Sequence, residues 1–373
     1  MTPLSTTFHD SLDCLQPAQW RELFADHPDS LEMVRLIQNC GMDGFTFGSI
    51  IVRQGDEPIL MLPLFETRFR LATLLDGAAA TIARSAEKIL PNLLSPKLLG
   101  AGLVEGEWGQ AGIKPGVATS VLSGAWRQAA AALKHRQREA RASLTVLLNF
   151  TPAAVDALPA DFAARFSAID TIPCARLPID FATVDEYLQR LSKNMRKDLR
   201  RKLKSAEGIE ILRPTDAGDW LDRIYALYLD TVRRAPLSLG IQRKEYFRRA
   251  TQDVPGAHYV LYAQEKNLLA FNLLVERDGT LIDKYFCMDD QAGRARSLYF
   301  VSWMENIAYC CRTGLKMYHA GPGAEGTKAR LGVTFLPSIT LFRHRNPAAH
   351  WALSKLKGLM AYHPQTPIPD SPP

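Results

Sequence analysis

The chain has 373 residues, 47% of them hydrophobic and 23% charged, with a formal net charge of +6; this predicts a globular protein of two domains and suits a phosphate-rich partner, whether nucleic acid, an anionic membrane surface or a phosphate-bearing cofactor. Its six cysteines form no CxxC pair and its eight histidines no HExxH motif, which argues against a disulfide framework and a structural zinc. The first thirty residues lack a basic and then apolar leader, and no run approaches eighteen apolar residues, so neither a secretory signal nor a membrane span is expected and a cytoplasmic location follows.

In the first half a hairpin is predicted over Gly48–Phe65, turning at Gly55-Asp56-Glu57-Pro58. Leu98–Gly100 reads as a strand and Gly124–Arg141, rich in Ala, as a helix. Leu144–Asn149 is an apolar strand, Pro159–Phe166 a short helix and Arg176–Ile179 a last strand. Then comes Asp185–Glu207. Thr183 and Glu186 give it a capping box, and Leu188, Leu191, Met195, Leu199 and Leu203 form a narrow apolar stripe. Lys193, Arg196, Lys197, Arg200, Arg201, Lys202 and Lys204 face a single acid, Asp198. This is either a linker helix with a solvated face or a docking surface for a phosphate-rich donor.

The second half reads more sharply. Gly208–Leu212 is a short strand. A helix follows Asp216 with Leu221, Ile224, Tyr225, Tyr228 and Val232 on one face, and another covers Lys244–Thr251. Three strands come next, His258–Gln264, Leu268–Glu276 and Thr280–Met288, with hairpin signals at Glu265-Lys266-Asn267 and Asp278-Gly279. A loop, Asp289–Arg296, leads to a helix over Ser297–Arg312, stopped by Thr313-Gly314. The strand Leu315–His319, a Gly-rich loop with a short helix, and the strand Ser338–Arg343 complete the half; Pro364–Pro373 reads as a disordered tail.

The segment Ser192-Lys193-Asn194-Met195-Arg196-Lys197-Asp198-Leu199-Arg200-Arg201 and the run Gly321-Pro322-Gly323-Ala324-Glu325-Gly326-Thr327-Lys328-Ala329-Arg330-Leu331-Gly332 resemble the FemAB-like and CelD-like branch of the GNAT superfamily. The resemblance covers about Asp185–Asn346; over the first half it rests on element order alone. It implies an α+β fold of tandem GNAT-like domains, each a mixed, mostly antiparallel sheet flanked by helices. The expected division is 1–182, a linker helix 183–207, a second domain 208–346 and a C-terminal helix and tail 347–373. The implied activity moves an acyl or aminoacyl group from a thioester or ester to an amine. The donor would be acyl-CoA or a phosphopantetheine-bound acyl group, used as substrate and without a metal. An acyl carrier protein or aminoacyl-tRNA docked on Lys193–Lys204, a small-molecule or peptide amine as acceptor, and a monomer or homodimer complete the expectation. One departure bears on the donor. The run Asp290-Gln291-Ala292-Gly293-Arg294-Ala295 has the family's Gly and Ala but an Asp where coenzyme A users carry Arg or Gln.

Acyl transfer needs backbone amides for the donor's phosphates, here Gly293, Arg294 and Ala295 leading to Ser297. It needs an oxyanion donor, here near Phe286–Met288, and a base for the amine. Strand alternation groups Asp283, Tyr285 and Cys287 on one face and Ile282, Lys284 and Phe286 on the other. Asp283 and His319 are the candidate bases; Tyr318, facing away from His319, reads as core. Lys328 and Arg330 are candidates to touch substrate or phosphate, and Gly321 and Gly323 allow close backbone approach. Glu105 and Glu107, in a first-half loop, are candidates to hold the acceptor amine. Cys310-Cys311 lack a matched His and are rejected as nucleophiles. The competing reading is a non-catalytic nucleic-acid or carrier-protein binding module on degenerate GNAT folds.

Overall fold

The computed structural model describes residues 2–25, 27–70, 73, 81, 85, 87–89, 95–235 and 239–362. The expected tail at 364–373 lies outside them. Two compact units are present: residues 1–172 with 337–363, and residues 173–336.

The first unit is a sheet in the order Leu4–His9, Thr46–Gln54, Glu57–Arg68, Lys97–Ala101, Leu144–Phe150 and the end of Thr334–His344. Only the step from Lys97–Ala101 to Leu144–Phe150 is parallel. That step needs a crossover, which the helix Thr119–Glu139 supplies. Its buried residues Ala125, Trp126, Ala129 and Leu133 pack against Ile50, Leu62, Leu99 and Leu147 of the sheet. The small alanines let helix and sheet approach closely. The strand Leu4–His9 and the helices Pro17–Leu23 and Leu31–Cys40 were not foreseen.

The second unit repeats the plan. Its sheet runs from the end of Ser167–Pro178 through Met317–Gly321, Thr280–Met288, Asn267–Arg277 and Ala257–Gln264 to Glu210–Leu212. Again one step is parallel, Thr280–Met288 to Met317–Gly321. The helix Leu298–Thr313 makes that crossover and ends at Gly314 with φ +73°, a left-handed cap that glycine adopts freely. The helices Leu221–Arg234 and Lys244–Asp253 contribute Tyr228 and Phe247, whose rings lie against Tyr285 of the sheet.

Two expectations change here. The strand read as the last of the second half, 338–343, pairs with Leu144–Phe150 and completes the first unit. The strand read as the last of the first half pairs through Ala175–Pro178 with Met317–Gly321 and completes the second. Each half therefore supplies the closing strand of the other's sheet. The stretch 185–207 is also two helices, not one. Leu191 turns extended at ψ 154°, and Ser192 caps a new helix by accepting from the Met195 amide at 3.2 Å. The helices Val184–Arg190 and Lys193–Lys204 bury Tyr187, Leu191, Met195 and Leu199 with Val301, Trp303 and Ile307 of the long helix. Each buried aliphatic of this kind contributes about 1.5–3 kcal/mol, so the segment is part of the second unit's core. Tyr187 fixes the junction: its hydroxyl donates to Leu331 O at 2.9 Å and accepts from Trp303 Nε1 at 2.8 Å.

Candidate active site

The strands Thr280–Met288 and Met317–Gly321 pair through only three residue pairs: Thr280 with Met317, Leu281 with Tyr318 and Ile282 with His319. Beyond that vertex no strand pairing joins them among the described residues, and we call this break in the ladder between Asp283–Met288 and the end of Met317–Gly321 the opening. Among the described residues the strand that pairs with Asp283–Met288 is Asn267–Arg277. Alternate amides of the run therefore face away from that partner, toward the opening.

A register shift at the vertex corrects the expected faces. Leu273 pairs with Tyr285 but Leu274 with Asp283, so Lys284 is an extra residue in a bulge. Asp283 and Tyr285 consequently point to opposite faces. Tyr285 lies 5.4 Å from the Tyr228 ring and 5.5 Å from Phe247, on the side of the helices Leu221–Arg234 and Lys244–Asp253. Cys287 is buried, and burial pushes its thiol up to about 12, which removes it as a nucleophile. Phe286 meets Tyr299 of the long helix at 5.8 Å.

Asp283 turns toward the long helix and anchors a polar network. Asn272 Nδ2 donates to its two oxygens at 2.9 and 3.1 Å, and the Tyr318 hydroxyl donates to Oδ2 at 2.9 Å. Asn306 Nδ2 donates to Tyr318 at 2.9 Å and more weakly to Asp283 at 3.4 Å. Tyr262 and Ser302 donate to Asn272 Oδ1 at 3.0 and 2.7 Å, fixing its orientation. Burial pushes the Asp283 carboxyl above the usual carboxylate range, while its hydrogen bonds from Asn272 and Tyr318 and the Lys328 charge pull it back. Asn272, Ser302, Asn306 and Tyr318 are all buried. Three of them, Asn272, Ser302 and Asn306, were missed in the sequence, where each reads as an ordinary position on an apolar strand or helix.

His319 is buried at the vertex on the strand face opposite Tyr318. The next residues turn away through Gly321 at φ +69° and Gly323 at φ +83°, conformations that glycine adopts without strain. Lys328 is buried. Its ammonium donates to Ala320 O, Gly321 O and Pro322 O at 2.7, 2.9 and 3.1 Å. Those three bonds take up the donors of an ammonium, so in this arrangement Lys328 braces the loop that follows His319. Arg330 is exposed and donates from Nε to Gly326 O at 3.3 Å. Lys328→Ala would leave three carbonyls short of a donor at a cost of about 1–3 kcal/mol for each one that stays dry. The expected result is a melting temperature lower by about 2–4 °C per kcal/mol lost and turnover reduced at least ~10-fold. Differential scanning calorimetry beside an activity assay checks it; an unchanged melting temperature would remove the brace.

The expected phosphate loop is instead the short helix Asp290–Ala295. Asp289 caps it, accepting from the Gln291 and Ala292 amides at 3.1 and 2.9 Å. The Ala292 amide chiefly holds its carboxyl below the usual range, with help from Arg223, whose guanidinium donates at 3.1 Å. The Gln291 and Ala292 amides are thus satisfied by a carboxylate of the chain itself, and the Gly293 amide by the Asp289 carbonyl at 3.0 Å. Asp290 adds a second negative charge, paired with Arg294 at 2.7 Å and with Arg234. Gly293 is buried, and a side chain there would come within 3.0 Å of Met288 Cβ. Arg294 and Ala295 are exposed. Glu105 and Glu107 lie in the first unit, in a loop where Asp29 accepts from the Glu107 amide at 2.8 Å.

A meander, a crossover helix and a parallel strand that leaves its neighbour after three pairs make up the fold of the second unit. Comparison with solved structures agrees. The chain is similar to a tandem GNAT protein from the clavulanic acid biosynthesis pathway (14% identity, 92% of this chain and 99% of that one, TM-score 0.54). It is similar to FemX (13%, 93% and 96%, TM-score 0.52) and to L-PGS from Bacillus licheniformis (11%, 92% and 97%, TM-score 0.52). At these identities the likeness shows the fold. Residues 175–356 match the FemAB-like family, described as peptidoglycan biosynthesis/recognition. No curated protein is significantly similar in sequence. The chain thus shares the fold of these structures, and residues 175–356 resemble the FemAB-like family.

Proposed function

We propose that the second unit transfers an acyl or aminoacyl group from a thioester or ester donor to an amine. The observation that carries this reading is the opening beyond the Ile282–His319 pair. It exposes alternate amides of Asp283–Met288, which suit the oxyanion formed when an amine attacks the donor carbonyl. His319 is the base for the amine proton, placed at the vertex on the face opposite the Asp283 network. Asp283 holds Tyr318 and Asn306, and so sets the angle at which the strands part. The self-capped helix at Asp289 favours a donor presented by a macromolecule over free acyl-CoA. The match to a peptidoglycan-related family favours a peptide amine as acceptor.

The test is a transfer assay with a peptide amine and three donors: acyl-CoA, loaded acyl carrier protein and aminoacyl-tRNA. One macromolecular donor is expected to exceed acyl-CoA in kcat/KM by at least about 100-fold, about 2.7 kcal/mol of transition-state stabilisation. Equal use of acyl-CoA would overturn the donor assignment. No transfer from any donor, with tight binding of one, would favour the non-catalytic binding module.

A further inference from the structure

The first unit holds a cavity of about 440 Å³ between the end of the helix Thr119–Glu139, the start of Leu144–Phe150, the turn after Ala160–Ala163 and the end of Thr334–His344. Five cations line it: Lys134, Arg138, Arg165, Arg343 and Arg345. Among the described residues no carboxylate does. One of the five, Arg165, already has an acidic partner. Glu139 pairs with His135 at 3.2 Å and Arg136 at 3.7 Å, and Asp161 pairs with Arg165 at 3.7 Å while remaining largely exposed. Lys134, Arg138, Arg343 and Arg345 have no ion-pair partner among the described residues. A helix C-terminus attracts cations, and that accounts for Lys134 and Arg138. Asp161 accounts for Arg165, but neither accounts for Arg343 and Arg345, which arrive from another segment. Like charges converging on one cavity repel one another unless an anion sits among them.

Two further features describe the anion. Gln137, also on the wall, has a buried amide nitrogen that donates to nothing among the described residues. A buried donor without a partner points to a missing acceptor. Phe162 and the half-buried Phe166, with ring centroids 5.2 Å apart, give the cavity an aromatic side. Its volume falls within the range of small-molecule sites, about 300–1,000 Å³.

We propose that this cavity binds a nucleoside diphosphate or triphosphate, its phosphates on the arginines and its base against Phe166. Guanidinium groups take phosphate oxygens in pairs, and a flat base stacks on a phenyl face or a guanidinium plane. The site shares no residue with the opening in the second unit, so it stands or falls apart from the transfer reaction.

The experiment is calorimetric titration of the full-length chain with ADP, inorganic pyrophosphate, adenosine and a single-stranded RNA 12-mer. ADP and pyrophosphate are expected to bind, both more weakly as salt rises, and adenosine not at all. Arg343→Ala and Arg345→Ala should each weaken both anions about 10-fold or more. Phe166→Ala should weaken ADP by about 5-fold, the scale of one base–aromatic stack, and leave pyrophosphate unchanged. Each variant's circular dichroism is compared with the parent, and Arg343→Lys keeps the charge in case Arg343→Ala fails to fold. The proposal is overturned if neither anion binds, if adenosine equals ADP, or if the arginine variants leave both constants unchanged. It is also overturned if Phe166→Ala has no effect on ADP, or if the RNA binds more tightly than ADP through the same arginines.

Discussion

His319→Ala is expected to lower kcat by roughly 10²–10⁴-fold, the usual contribution of a positioned general base, while KM for the donor changes little. His319 stands at the last paired position before the strands part, where an amine attacking a carbonyl in the opening would release its proton. The loop after it is held by Lys328 through three carbonyls, which fixes the backbone on that side of His319. His319→Gln keeps a hydrogen-bonding side chain of similar reach but cannot take a proton at neutral pH. It should therefore fold like the parent and be as slow as His319→Ala. Added imidazole is expected to recover part of the rate in the alanine variant alone. If both variants turn over at the parent rate, the base is elsewhere. Asp283 is then next in line, since burial raises its carboxyl toward the range where it accepts and returns a proton. It would have to act through the Tyr318 hydroxyl, which donates to it at 2.9 Å.

The order of elements in the second half was legible because each carries its own punctuation. Thr280–Met288 follows a turn at Asp278-Gly279, and the long helix stops at Gly314. What escaped was set by partners, which alternation along one strand does not record. The bulge at Lys284 depends on the register against Leu273 and Leu274, and it reverses the face of Asp283 relative to Tyr285. The exchange of closing strands depends on which sheet 338–344 and 175–178 meet, and both are apolar enough for either. Lys328 read as a contact for substrate or phosphate, because a short Gly-rich run gives no burial signal; only the geometry of Ala320, Gly321 and Pro322 shows that its ammonium is turned inside to their carbonyls. Asp289 did carry a readable signal. An Asp directly before a short helix is an N-cap, and a capped N-terminus has fewer amides left for a phosphate.

Charge reversal along the helix Lys193–Lys204 is expected to raise KM for a macromolecular donor by about 10²–10³-fold and to leave KM for a small thioester unchanged. The structure chooses which cations to change. Arg196 donates to Leu191 O and to Gln189 O at 3.3 Å, Arg201 and Lys202 pair with Asp198 at 2.6 and 3.0 Å, and the Lys202 ammonium sits 3.3 Å over the Phe300 ring. These three hold the helix or its own surface. Lys193, Lys197, Arg200 and Lys204 are exposed and have no ion pair among the described residues. Their spacing of four, three and four residues keeps them on one face of the helix, along about 16 Å of its axis. That face is turned away from the buried Met195 and Leu199. A row of this length runs beside several phosphates of one nucleic-acid strand, and it equally suits an acidic carrier surface. The variant is Lys193→Glu, Lys197→Glu, Arg200→Glu and Lys204→Glu together. Exposed charges contribute little to folding, so circular dichroism and melting temperature should hold. With a nucleic-acid donor, each phosphate that no longer meets a cation should flatten the slope of log KM against log salt by about 0.7–0.9. Parent values of both KM constants and of the salt slope in the fourfold variant would leave the row a solvated face, with the donor docking elsewhere; a rise in both constants together would point to damage at the opening itself.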